Sequence, residues 1–72
     1  MATRITIRQA DIIAAIRNLQ HLHGYVPSIT ELSDELQLAR GTITGHIARL
    51  RAKGVLRRTR GKARSLEIIH AA

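Results

Sequence analysis

The sequence predicts a small, mainly α-helical domain closed by a β-hairpin, and three observations predict it. Two Ser/Thr-x-x-Glu/Gln boxes, "TIRQ" from Thr6 and "SITE" from Ser28, have the form of reciprocal helix N-caps. Three separate segments carry apolar residues at helical spacing. After them, two short apolar and basic runs flank a turn that contains Gly61.

The first helix is predicted over Thr6–Leu22. Ile12, Ile16 and Leu19 fall at i, i+4 and i+7, with Ala15 and Ile13 on the flanks. "HGYVPS" ends it, because Gly24 suits a left-handed C-cap and Pro27 cannot continue a helix. The second helix starts at Ser28, carries Ile29, Leu32 and Leu36 on one stripe, and ends by Gln37. A tight turn, roughly 37–39, leads to the third. There Ile43, Ile47 and Leu50 repeat the i, i+4, i+7 pattern. "KGVL" stops this helix, with Gly54 past its end and Val55 placed to close back on Leu50. "VLRRT" and "SLEII" then read as two strands joined by "RGKAR".

At 72 residues the chain is expected to form one domain, residues 1–72. A domain this small buries roughly 60% of its unfolded surface and offers little room for a deep enzymatic cleft. There is no cysteine, hence no disulfide framework and no thiolate metal site. No apolar run approaches the ~18 residues of a membrane span, and "MATRITIRQ" lacks the apolar stretch of a secretory signal. These features fit a cytoplasmic protein.

Charge is segregated. The net charge is +7, yet Arg40 to Arg64 holds nine basic residues and no acid, while the flanking segments are each slightly acidic. A block of this kind is the electrostatic footprint of a polyanion-binding face.

The third helix carries Gly41 and Gly45, each costing a helix interior about 1 kcal/mol relative to alanine. At roughly 100° per residue, Gly41, Gly45, Ala48 and Ala52 all point away from the Ile43–Ile47–Leu50 face. Thr42 and Arg49 border this bare strip on one side, Thr44 and Arg51 on the other. A smooth strip lets the helix lie deep in a DNA major groove, which is about 12 Å wide and admits one α-helix. Thr42, Thr44 and Arg49 then reach base edges or thymine methyls. Small residues four apart also suit close helix–helix packing. A Gly/Ala interface fringed by arginine buries little apolar area, however, which favours nucleic acid.

The order helix, helix, turn, helix, basic hairpin resembles a winged helix–turn–helix domain. More narrowly, "ITIRQ", "GYVPSITELSDELQL" and "HIARLRAKGVLRR" resemble the N-terminal DNA-binding domain of LexA-type repressors, over about Ile5 to Ile69. The resemblance implies a three-helix winged helix–turn–helix fold, mainly α with a small β-hairpin. It implies a sequence-specific double-stranded DNA binder, a small bacterial or phage transcriptional regulator working at the nucleoid. Base readout is then carried by Arg40, Thr42, Thr44, Gly45, His46 and Arg49. Backbone and wing contacts fall to Ser28, whose helix end offers amides to a phosphate, and to Lys53, Arg57, Arg58, Arg60, Lys62 and Arg64. Two departures stand out. Ala39 is a poor cap where Ser or Thr is usual, and Gln37 stands where the turn often has glycine. LexA repressors also carry a self-cleaving, dimerising domain with a serine–lysine pair, and nothing in these residues corresponds to it. The self-cleavage and its mode of dimerisation are therefore not expected here.

Other chemistries find little support. His21 and His23 point to different helix faces and no third ligand completes a metal set. No Ser, His and Asp arrangement suggests catalysis, and no cofactor motif is present. Tyr25 is the single aromatic residue, too few for stacking single-stranded bases or anchoring at a membrane. The first helix, whose Ile7, Ile13 and Leu22 lie off the main stripe, is the candidate pairing surface for a homodimer on DNA. The alternative reading is a protein-interaction module on the same scaffold that binds an acidic partner surface.

Overall fold

The structure, a computed structural model, describes residues 5–58 and 66–69. Three helices, α1 (Ile7–His23), α2 (Ile29–Leu36) and α3 (Arg40–Ala52), precede strands β1 (Leu56–Arg58) and β2 (Leu66–Ile68). The strands pair antiparallel, with Leu56 opposite Ile68, Arg57 opposite Glu67 and Arg58 opposite Leu66. This is the winged helix–turn–helix arrangement expected from the sequence. The strands fall inside the predicted runs; Thr59 and Ser65 lie outside the described residues.

Both capping boxes form. The Thr6 hydroxyl accepts from the Gln9 amide at 3.1 Å, and the Thr6 amide donates to Gln9 Oε1 at 3.2 Å. Ser28 Oγ accepts from the Glu31 amide at 3.2 Å, and the Ser28 amide donates to Glu31 Oε1 at 2.8 Å. Each box satisfies two amides that a helix start leaves without partners. Gly24 ends α1 in the left-handed region at φ 78°, its amide bonded to the Gln20 carbonyl.

The core joins all five elements. Ile12, Ile16 and Leu19 of α1 meet Leu32 of α2, Ile43, Ile47 and Leu50 of α3, and Leu56 and Leu66 of the strands. Ile29 and Leu36 are only half-buried. One expectation is corrected. Ile13 is 8% exposed and belongs to the core, so it is not on a free face of α1. Ile7 and Leu22 are exposed, but they sit roughly 22 Å apart at 1.5 Å per residue.

The turn between α2 and α3 is where the sequence departs from ideal local chemistry. Gln37 adopts φ 54°, the one left-handed non-glycine among the described residues. A side chain there costs roughly 1–2 kcal/mol. The turn is held by the Leu38 amide, which donates to the Ser33 carbonyl, and by Ser33 Oγ, which donates to the Leu38 carbonyl. Ala39 then precedes α3 with no side-chain cap.

Candidate nucleic-acid interface

Packing, not capping, holds α3 in place. Ile43 and Leu50 are fully buried and Ile47 nearly so. Its C-terminus closes as the sequence predicts. The Val55 amide donates to the Leu50 carbonyl at 2.9 Å, and Gly54 takes φ 75°. The Ile69 amide donates to the Val55 carbonyl at 2.8 Å, so Val55 joins helix and wing at one point.

With that face turned inward, the opposite face is open. Gly41, Thr42, Thr44, Ala48, Arg49 and Ala52 are exposed. A Cβ added at Gly41 would meet nothing within 4 Å among the described residues. One added at Gly45 would meet only Arg49 Nη1, at 3.6 Å. The glycines are therefore not required for packing among the described residues. Arg49 lies back over Gly45, as long helical side chains do, and spreads its guanidinium along the bare strip.

The hydroxyl of Thr44 donates to the Arg40 carbonyl at 2.9 Å. Its proton is used within the helix, so Thr44 offers lone pairs or its methyl group outward. Arg40 is exposed at the start of the helix. His46 is placed differently. It is half-buried, and its Nδ1 is buried with no partner among the described residues. Periodicity places His46 beside the core stripe but does not show which ring nitrogen is enclosed.

Lys53 at the end of α3 donates from Nζ to Gln9 Oε1 at 2.7 Å. Gln9 is 2% exposed, and the same oxygen accepts from the Thr6 amide. The bond links the C-terminus of α3 to the N-terminal cap of α1. Residues 44 apart in sequence carry no local signal for it. On the wing, Arg57 Nη2 donates to Glu67 Oε1 at 2.9 Å, while Arg58 is exposed. Ser28 is half-buried at the start of α2. Arg60, Lys62 and Arg64 lie outside the described residues.

Arg51, seen in the sequence only as an edge of the bare strip, lines an open groove of about 500 Å³ between α3 and the wing. Among the described residues no three His, Cys, Asp or Glu side chains gather as a metal site, and no helix is long and apolar enough to cross a membrane.

Comparison with known proteins gives the family. The sequence is 40% identical over 68 residues to the LexA repressor of Staphylococcus carnosus and to that of Bacillus subtilis, in each case covering 93% of this chain and 33% of the relative. It is 39% identical over 70 residues to the LexA repressor of a Geobacillus species, covering 96% of this chain and 34% of the relative. The chain thus spans about a third of the length of these relatives. Residues 2–65 match the family described as LexA DNA binding domain. That match covers most of the sequence, and the chain belongs to the LexA DNA-binding domain family.

Proposed function

We propose that this chain, as a single domain, binds double-stranded DNA selectively by sequence and regulates transcription as a repressor at the nucleoid. The observation that carries this reading is the side-chain-poor face of α3, with Gly41 exposed and Gly45 half-buried beneath the Arg49 guanidinium. A helix with that face fits the floor of a major groove, and the segregated positive charge supplies attraction to phosphate. Family membership and the relatives' name as repressors support it.

In this reading Arg40, Thr42, Thr44, Gly45, His46 and Arg49 read bases. Arg49 can form the bidentate contact to guanine O6 and N7. Thr44, with its proton already donated, accepts from a base amino group or packs against a thymine methyl. Ser28, Lys53, Arg57 and Arg58, together with Arg60, Lys62 and Arg64, attract the backbone. The Lys53 ammonium has two further protons to offer beyond the one bonded to Gln9. A single recognition helix covers little sequence, so two copies on adjoining half-sites are part of the proposal.

Selection of bound duplexes from a random pool tests this directly. We expect one preferred site, with a palindrome if two copies act together. Arg49→Ala should cost about 1–3 kcal/mol at that site and relax its sequence, whereas Lys62→Ala should weaken all sequences alike. Uniform loss of affinity in Arg49→Ala, with the preferred site unchanged, would remove Arg49 from readout. No binding to any duplex at low salt would favour an acidic protein partner instead.

A further inference from the structure

Gln9 is the one buried polar side chain among the described residues. Its Oε1 serves two donors. One is the Thr6 amide, which closes the capping box of α1. The other is Lys53 Nζ, at 2.7 Å, from the end of α3. The box needs an acceptor at this position, and Glu supplies one as well as Gln does. Glu31 performs the same duty in α2. Two local effects favour Glu at position 9. A helix start attracts negative charge, and α1 has no acidic residue in its first turn. A carboxylate would also meet the Lys53 ammonium, which pairs with no carboxylate among the described residues. Burial opposes a lone carboxylate, but one bonded to both an amide and an ammonium is compensated.

The neutral amide instead leaves a cation uncancelled beside the start of α1, where the helix dipole disfavours it. Fold stability does not call for that arrangement. Lys53 is exposed and stands one turn beyond Arg49, on the same edge of α3. A loose lysine loses side-chain freedom when it meets an anion, whereas a held one has lost it beforehand. We propose that Gln9 is a positioning residue for DNA binding: its neutral oxygen fixes the Lys53 ammonium before a phosphate arrives and leaves the whole charge for that phosphate. This rests on the duplex-binding reading and on Lys53 as a backbone contact. Gln9 itself touches no nucleic acid, and its effect is blind to sequence.

The test is binding of the full chain to a short random-sequence duplex at several salt concentrations, measured by fluorescence anisotropy, with thermal unfolding of each variant alongside. Lys53→Gln sets the reference: loss of one phosphate contact should lower the slope of log affinity against log salt by about 0.9. Gln9→Glu keeps the cap and cancels the ammonium. It should lower the slope by the same amount while melting no lower than the parent. Gln9→Met fills the same space without an acceptor. It should keep the parent slope and weaken every sequence about two- to tenfold, the penalty for ordering one lysine on binding. A purely structural Gln9 predicts otherwise: Gln9→Met melts lower, yet protein held well below its melting temperature binds like the parent. Should Gln9→Glu melt lower than the parent, Gln9→Met decides. If Lys53→Gln lowers the slope while both Gln9 variants bind like the parent, the positioning role is overturned and duplex binding stands. If Lys53→Gln leaves the slope unchanged, Lys53 is no contact and the positioning role falls with it. If the parent binds no duplex, the duplex reading falls as well.

Discussion

α1 and α2 each open on a reciprocal capping box, whereas α3 opens on Ala39, whose side chain caps nothing. The contrast continues along the helices. α1 has no glycine before its left-handed terminus at Gly24, while α3 carries two in its first turns. Between them stands Gln37, held at a φ that favours glycine. The elements that build the scaffold follow local rules closely. The element proposed to meet DNA breaks several, and it is kept helical by burial of Ile43, Ile47 and Leu50. Local inconsistency concentrated on one exposed surface is the pattern of a binding face.

The largest effect that probes this contrast comes from the buried side of α3. Leu50→Ala should cost about 2–5 kcal/mol in urea unfolding. That is much of what so small a domain holds, given ~0.05–0.15 kcal/mol per residue. Under native conditions its amide exchange should quicken more in α3 than in α1. Equal protection in the two helices would mean that α3 does not depend specially on packing.

Next in size are the caps. Ser28→Ala should lose about 1 kcal/mol, and Ala39→Ser should gain a similar amount if its hydroxyl can reach the amides of the first turn. Thermal unfolding resolves both, since ~1 kcal/mol shifts the midpoint of a domain this size by about 4–8 °C. If Ala39→Ser brings no gain, the start of α3 is not limited by its missing cap. Smaller still, Gln37→Gly should stabilise the chain by up to about 1 kcal/mol, part of the relief being offset by the greater freedom of an unfolded glycine.

What the sequence discloses follows how local each signal is. The capping boxes, the Gly24 and Gly54 stops and the apolar stripes lie within a few residues of what they control, and the structure has them where they were expected. The turn strain at Gln37 was legible as a missing glycine. A stripe drawn from three residues leaves Ile13 on its flank and understates how wide a face α1 buries. The bond from Lys53 to Gln9 depends on how the end of α3 meets the start of α1, which spacing within one helix does not encode. The groove walled by Arg51 and Arg58 arises only when the hairpin folds back beside α3.

The most direct measurement is the Gly41→Ala, Gly45→Ala double variant, followed by thermal unfolding and by titration with the selected duplex. The added methyl groups meet open space at Gly41 and an ordinary 3.6 Å contact at Gly45, so the free protein has room for both. Helix propensity alone should then stabilise it by up to about 2 kcal/mol. If the bare strip exists for close approach to DNA, the same variant should bind its site at least tenfold more weakly, a loss of about 1.4 kcal/mol. A variant that melts higher and binds DNA as tightly as its parent would contradict the account.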